Sequence, residues 1–332
     1  MELQTVQKQN NAENTTLNII NNIVSSFKNS NLLSQEKIDV SIIIVNWNSK
    51  NYLKKTIESL YHWTKEVDFE LIVIDNDSNQ NDESYKFIET ELLNYNNVRV
   101  LFNSENSGFA KANNIGIDIS LGKYVLLLNP DVILQSNVIK TLRDYLNDNS
   151  DVGMIGPKVL NIDGTFQTSC RRGEPDPLSV FFALSNLKGI YQNHPKYYAF
   201  SLDNLDPSKI QSVAGLSGCC MMVKKELIEQ IGKMDEQFFL YQEETDWCYR
   251  AYKSGWRIIY QPEAVIIHDR GGTTKQKILK TNFVFCSSMM KFFRKHFFNR
   301  YGLLKKCFFL ILIWGNFFVR YFRILAYYKY VK

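Results

Sequence analysis

From Val40 onward the chain alternates apolar runs with segments of helical period. Val40–Asn46, Phe69–Asp75, Val98–Phe102 and Tyr124–Leu128 are short, almost wholly apolar and rich in branched residues. Runs of that length and composition predict strands buried on both faces. Between them, Leu53, Ile57 and Leu60 mark one helix face after the Asn48-Ser49 cap signal. Helices are also predicted over Glu83–Leu93 and from Ala110 towards Ser120, with Gly122 as a stop. Strand–helix alternation of this kind predicts an α/β fold with a mostly parallel central sheet and helices on both faces. Right-handed crossovers then bring the C-terminal ends of the strands to one edge. Pro130 ends the fourth strand, and Asp131 follows at that edge, where open α/β sheets bind ligands.

The second half is less regular. Val152–Ile155 predicts a strand, and Val213–Val223 another that contains Gly215 and Gly218. Glycine within a strand marks the close approach of a ligand or a second backbone. Asp163–Lys209 is read as a long irregular stretch with several prolines, Arg171-Arg172 and the aromatics Tyr191, Tyr197 and Tyr198. A helix is expected from Glu243 to Gly255, then short strands over Trp256–Tyr260 and Ala264–Ile267, the latter delivering His268. Three parts are expected: a polar lead-in (1–38) with a weak amphipathic helix through Ile20, Val24 and Phe27, a central α/β domain (39–275) and a C-terminal tail (276–332) of amphipathic helices.

Composition adds limits rather than a function. Of 332 residues, 45% are hydrophobic and 22% charged, an ordinary globular balance. A net charge of +5 does not call for nucleic acid, but much of the basic excess lies in the last quarter. The six cysteines show no zinc spacing, and Cys219-Cys220 sits in an apolar run, so core thiols and a reducing, cytoplasmic setting are expected. Met1–Asn10 is mostly polar with no apolar core after it, so no signal peptide is expected. In the tail, Phe and Tyr alternate with Lys and Arg, and Cys307–Ile313 is too short to cross a bilayer. Two readings are open: a segment lying on the inner face of the cytoplasmic membrane, or a helix pair packed on the domain or another subunit. The basic excess favours the membrane surface.

Candidate chemistry gathers at the sheet edge. Asn46, Asn48, Asp75, Asn106 and Asp131 come from four separate loops yet converge there. Taken alone, Asp131 reads sooner as a helix cap than as a carboxylate holding a divalent cation against phosphate oxygens, and the convergence of these loops reverses that order. Glu243, Glu244 and Asp246 lie in the first turn of their helix. Dipole complementation and an Asp246–Arg250 pair account for Asp246, but do not call for two adjacent glutamates. Arg171 or Arg172 is either a bidentate phosphate ligand or a surface arginine.

Over roughly Val40 to Thr274 these residues resemble glycosyltransferase family 2, in particular its rhamnosyltransferase-like branch. The resemblance rests on five ordered motifs: Val45-Asn-Trp-Asn48, Val73-Ile-Asp-Asn-Asp-Ser78, Asn106-Ser-Gly-Phe-Ala110, Leu128-Asn-Pro-Asp131 and Phe238-Phe-Leu-Tyr-Gln-Glu-Glu-Thr-Asp-Trp-Cys-Tyr-Arg250. It implies a GT-A fold, a nucleotide-diphospho-sugar donor with dTDP-rhamnose first and UDP-sugars second, Mg²⁺ or Mn²⁺, and inversion at the anomeric carbon. It also implies a glycan acceptor, lipid-linked or at the cell surface. Asp75, Asn46 and Asn48 would line the base pocket, and Asn106 and Asn113 would sit beside the donor nucleotide and sugar. Asp131 would hold the cation, helped by His268, with Asn129 in place of a second carboxylate. Glu244 would be the base, one methylene longer than the family's aspartate, with Glu243 and Asp246 as alternates. A non-catalytic nucleotide-sugar-binding or scaffold protein is the rival reading, kept open by the Asn129 and Glu244 departures.

Overall fold

A computed structural model describes residues 38–79, 83–184, 194–269 and 278–330. The expected helix around Ile20, Val24 and Phe27 lies outside the described residues, as do Tyr191 and the expected boundary near residue 275. Each apolar run became a strand: β1 (Val40–Asn46), β2 (Phe69–Asn76), β3 (Val98–Asn103) and β4 (Tyr124–Leu128). Between them lie α1 (Lys50–Trp63), α2 (Glu83–Thr90) and α3 (Phe109–Ile119). Then follow β5 (Val132–Leu134), α4 (Val138–Asp148), β6 (Val152–Leu160) and the two-residue β7 (Arg171–Arg172). The stretch read as irregular forms two short helices, α5 (Pro177–Leu184) and α6 (Pro195–Ser201), which pack on one another. Next come β8 (Gln211–Val213), β9 (Gly215–Leu216), β10 (Cys220–Lys224), α7 (Lys225–Ile231), α8 (Glu243–Lys253) and β11 (Arg257–His268). Two long helices close the chain, α9 (Ile278–His296) and α10 (Leu303–Tyr330).

The sheet runs β3-β2-β1-β4-β10-β6-β11-β5, with β8 beside β11. β1 pairs in parallel with β2 from Val40↔Phe69 to Asn46↔Asp75, and β2 with β3 up to Asn76↔Asn103. Equal registers bring Asn46, Asp75 and Phe102 to one level of the site edge. The first four strands in sequence are parallel, but β10 runs antiparallel to both β4 and β6, so the whole sheet is mixed. β10 enters from the site edge, with Cys220 opposite Leu128, which brings Gly218-Cys219 beside the Asn129-Pro130-Asp131 turn.

Two expected strand boundaries moved for identifiable reasons. Val213–Val223 is three strands, because each piece has a different partner: β8 pairs with β11, β9 with β7, and β10 with β4. The expected strands Trp256–Tyr260 and Ala264–Ile267 are one strand, β11, with a register shift between Gln261 and Val265. Pro262 sits inside that shift, where a missing backbone N–H costs no ladder bond.

The tail also differs from expectation. The unit Ile38–Lys332 takes in both C-terminal helices. α9 buries Cys286, Met289, Phe292 and Phe293 against Phe238 and Tyr249, forming a second core. These residues recur at helical spacing, and burying each phenylalanine stabilises the fold by about 1.5–3 kcal/mol. α9 thus packs a buried apolar face within this unit. α10 lies back along α9, with Phe309 stacked on Phe293 and Phe317 against Phe283. Its other face carries Leu304, Phe308, Ile311, Phe318 and Phe322, each about half or more exposed. No described helix is long and apolar enough to cross a membrane.

Candidate active site

The loop after β1 and the loop after β2 are tied into one pocket wall. Asn46 Nδ2 donates to Asp75 Oδ2 at 2.8 Å and to Ser78 Oγ at 3.1 Å. Asp75 Oδ1 accepts from the Ser78 backbone N–H at 2.9 Å, and Asn48 Oδ1 accepts from that of Asn79 at 2.8 Å. Asn48 and Asp77 hold φ of 50° and 66°, a left-handed conformation that Asn and Asp tolerate. Next to this wall, Asn76 Oδ1 accepts from Asn103 Nδ2 and from the Ser107 N–H and hydroxyl. Its Nδ2 donates to Asn106 Oδ1 at 3.1 Å. Gly108 then reverses the chain at φ +85°, and an added Cβ would stand 2.5 Å from the Phe239 carbonyl oxygen. Only glycine fits there. This contact joins the Asn106 loop to the segment leading into α8.

The turn after β4 is held from behind by Thr56, whose hydroxyl donates to the Pro130 carbonyl at 2.6 Å. Asn129 N–H donates to the Cys219 carbonyl at 2.8 Å. Asn129 Oδ1 and Asp131 Oδ1 are buried without hydrogen-bond partners. His268 Nε2 stands 3.4 Å from Asp131 Oδ1, and its Nδ1 lies 3.0 Å from Gln167 Oε1, an acceptor that fixes the ring. Burial opposes the imidazolium, but the Cys219 sulfur and the Asp131 carboxylate outweigh it and carry His268 up to about 10. Tyr52 reaches the same corner, donating to Asp269 Oδ2 at 2.8 Å, and that bond raises its phenol above its ordinary value. Among the described residues, no group of three or more His, Cys, Asp and Glu is placed to hold a metal ion by itself. The oxygens of Asn129 and Asp131 suit Mg²⁺ or Mn²⁺ when further oxygens come from a bound diphosphate, and the His268 nitrogen would join them only on giving up its proton.

Facing this turn is the N-terminus of α8. Gly218 lets Glu244 come close: an added Cβ would lie 3.4 Å from Glu244 Cβ and 3.6 Å from the Phe109 ring. Arg172 Nη1 donates to Glu244 Oε1 at 3.2 Å, while Glu244 Oε2 has no partner. Glu243 is fully sequestered, and its Oε2 is also unpartnered. Burial, then the neighbouring Glu244 charge, pushes the Glu243 carboxyl well above the carboxylate range. That shift favours the protonated form of Glu243, which cannot accept a proton.

Asp246 is committed elsewhere. It accepts from Arg250 Nε at 2.8 Å, Lys295 Nζ at 2.8 Å and His296 Nε2 at 2.6 Å. Burial works against its charge, but these partners, His296 first, hold it at about 2. Its folded pKa lies below the unfolded value, so its stabilisation is complete above about pH 5 and lost as pH falls towards 2. Asp246→Asn is therefore expected to lower stability by about 2 kcal/mol at pH 7 and by about half as much at pH 3, read from urea unfolding at the two pH values.

Two of the expected donor residues, Arg171 and Asn113, have side chains engaged within the protein. Arg171 is buried, bonded to Gln211 and the Leu205 carbonyl, and lies over the Phe166 and Tyr260 rings. That commitment corrects its expected phosphate role and leaves Arg172, at the acid motif, as the arginine of the site. Asn113 is buried and donates to the Phe109 carbonyl within α3. Tyr52, Gln167 and Asn76 were missed. Tyr52 reads as an ordinary helix position and Gln167 lies in a loop far from His268 in sequence, so neither carried a signal. Asn76 stood inside a quoted motif beside Asp75.

Residues 41–232, more than half of the chain, match the description "Glycosyl transferase family 2". The chain belongs to glycosyltransferase family 2. Among relatives, N-acetylglucosaminyl-diphospho-decaprenol L-rhamnosyltransferase of Mycobacterium tuberculosis is 30% identical over 193 residues, covering 54% of this chain and 61% of that protein. The dTDP-rhamnosyl transferase RfbF of Shigella flexneri is 27% identical over 271 residues, covering 81% of this chain and 80% of its own. This family 2 chain is thus similar to members named rhamnosyltransferases. Its fold is that of solved GT-A glycosyltransferases. GalNAc-T7 with UDP, GalNAc and Mn²⁺ matches at a TM-score of 0.57 and 17% identity, over 79% of this chain and 48% of that one. The mannosyltransferase PcManGT of Pyrobaculum calidifontis, with GDP-Man and Mn²⁺, matches at 0.52 and 16%, over 81% and 66%.

Proposed function

We propose that this family 2 protein is an inverting, cation-assisted glycosyltransferase that moves a sugar from a nucleotide-diphosphate donor to a glycan hydroxyl. One observation carries the reading. Among the described residues, four buried oxygens without hydrogen-bond partners belong to Asn129 and Asp131, in the turn after β4, and to Glu243 and Glu244, at the start of α8. Leaving a buried acceptor unpaired costs about 1–3 kcal/mol, so a concentration of them marks a site completed by ligand. Relatives named rhamnosyltransferases make dTDP-rhamnose the first donor to test, UDP-sugars the second. The name of the mycobacterial relative makes a polyprenyl-diphosphate-linked sugar the first acceptor.

Asp75 accepts a hydrogen bond from the nucleobase, and the Asn46–Asn48 wall shapes its pocket. Asp131, Asn129 and His268 would hold Mg²⁺ or Mn²⁺, which when bound sets positive charge against the leaving diphosphate. Arg172 fixes one oxygen of Glu244 and leaves Oε2 open. That oxygen takes the acceptor's proton as the hydroxyl attacks the anomeric carbon, on the side opposite the diphosphate. A thermal-shift screen of nucleotide sugars with and without Mn²⁺ tests the donor, since a ligand that binds only the native state raises its melting temperature. A scaffold would bind donor but release no nucleoside diphosphate.

The exposed stripe of α10 is assigned to an anionic lipid surface. Residues 270–332 contain fourteen Lys and Arg and no Asp or Glu, so the rest of the chain carries −9 against the overall +5. Apolar contact plus basic charge suits a cytoplasmic leaflet. Replacing Phe308, Ile311 and Phe318 with serine is expected to abolish sedimentation with phosphatidylglycerol vesicles, and 0.5 M salt to weaken it in the wild type. Salt-insensitive self-association with no vesicle binding would assign the stripe to a second copy instead.

A further inference from the structure

The segment that leads into the acid motif holds a costly conformation. Tyr241 and Gln242, neither glycine nor asparagine, take φ of 66° and 70° in succession. Such residues persist only where surrounding structure over-determines them. The over-determination comes from α9. Phe285 meets the Tyr241 ring edge to face at 5.6 Å. Ser288 Oγ donates to the Leu240 carbonyl at 2.9 Å, and Lys291 Nζ to the Gln237 carbonyl at 2.6 Å. Lys295 Nζ reaches Asp235 Oδ2 at 2.5 Å, and both Lys295 and His296 hold Asp246. The loop runs forward from Asp235 to Tyr241 as its partners run backward from Lys295 to Phe285. Those partners lie three or four residues apart on one helix face.

We infer that α9 is a clamp that positions the glutamates, and that Ser288 and Lys291 are positioning residues for the proton-accepting group. The motif supplies few of these anchors itself. The Phe239 carbonyl is held by the Phe109 N–H at 2.8 Å, but those of Leu240 and Gln237 are held by α9 side chains. Releasing them lets Tyr241 and Gln242 relax from the left-handed region, which turns the first residues of α8. A displacement of about 1 Å at a reacting group can cost a hundredfold in rate. The Asn46–Asp75 wall of the donor pocket lies on the loops after β1 and β2, and the Phe109 N–H still holds the Phe239 carbonyl, so donor affinity should not follow.

The inference rests on the proposed transfer reaction, so its test has one arm without activity. The full chain is compared with Ser288→Ala, Lys291→Met and the conservative Lys291→Arg. Hydrogen exchange is expected to rise at 237–243 in the first two variants and stay near wild type in the third. Their turnover should fall about ten- to a hundredfold with donor affinity unchanged, and Lys291→Arg should recover most of it. Unchanged exchange in Ser288→Ala and Lys291→Met would overturn the clamp, whatever the enzyme does. Raised exchange with normal turnover would overturn the positioning role. Loss of donor affinity together with turnover would show general destabilisation instead. A wild-type chain that transfers no sugar would refute the proposed reaction and leave the exchange result to judge the clamp.

Discussion

Glu244→Gln is expected to lower sugar transfer by about two to four orders of magnitude, the range a general base contributes. The substitution keeps shape and removes the proton-accepting oxygen. Glu244 is the acid-motif carboxylate beside Gly218, with one oxygen oriented by Arg172 and the other free. Donor affinity should barely change, because the base acts on the acceptor. Glu243→Gln is the informative control. Burial and the Glu244 charge favour the protonated form of Glu243, so turnover should fall far less. Stability should rise near pH 8 and the gain should vanish as pH drops, because a raised folded pKa costs stability only where the unfolded group is ionised. A dead Glu243→Gln beside an active Glu244→Gln would mean that the two carboxylates have exchanged roles.

The second large effect is on the cation. Asp131→Asn is expected to abolish Mn²⁺-dependent tightening of nucleoside-diphosphate binding and to leave folding nearly intact. Asp131 Oδ1 is buried with no hydrogen bond, its ion-pair neighbour His268 Nε2 lies 3.4 Å away, and Asn129 offers only an uncharged oxygen. The turn therefore contains one carboxylate, and removing its charge removes most of the attraction for a hard cation. Titration calorimetry of the nucleoside diphosphate with and without Mn²⁺ measures the difference. The same Mn²⁺ enhancement in Asp131→Asn and wild type would remove Asp131 from the cation site.

Local pattern made the first half legible. Four apolar runs separated by helix-period segments dictate four parallel strands, and parallel register places Asn46, Asp75 and Asp131 at one edge. The second half depends on partners far apart in sequence. Nothing local shows that Val213–Val223 serves three different strands. Nothing local turns Arg171 inward and Arg172 toward Glu244, since adjacent strand residues face opposite ways and the pattern does not say which faces the site. Basic and aromatic residues of α9 read as a membrane face, yet Lys291, Lys295 and His296 spend their hydrogen bonds on the acid loop.

The central claim is sugar transfer from a nucleotide-diphosphate donor at this edge. Its most direct test is release of dTDP from dTDP-rhamnose by the full chain, with a polyprenyl-diphosphate-linked sugar in anionic vesicles. UDP-N-acetylglucosamine and GDP-mannose serve as parallel donors, and E244Q as the control. The account predicts release of nucleoside diphosphate from one donor, dependent on Mg²⁺ or Mn²⁺ and absent in E244Q. Release no greater than the E244Q control for every donor would contradict it.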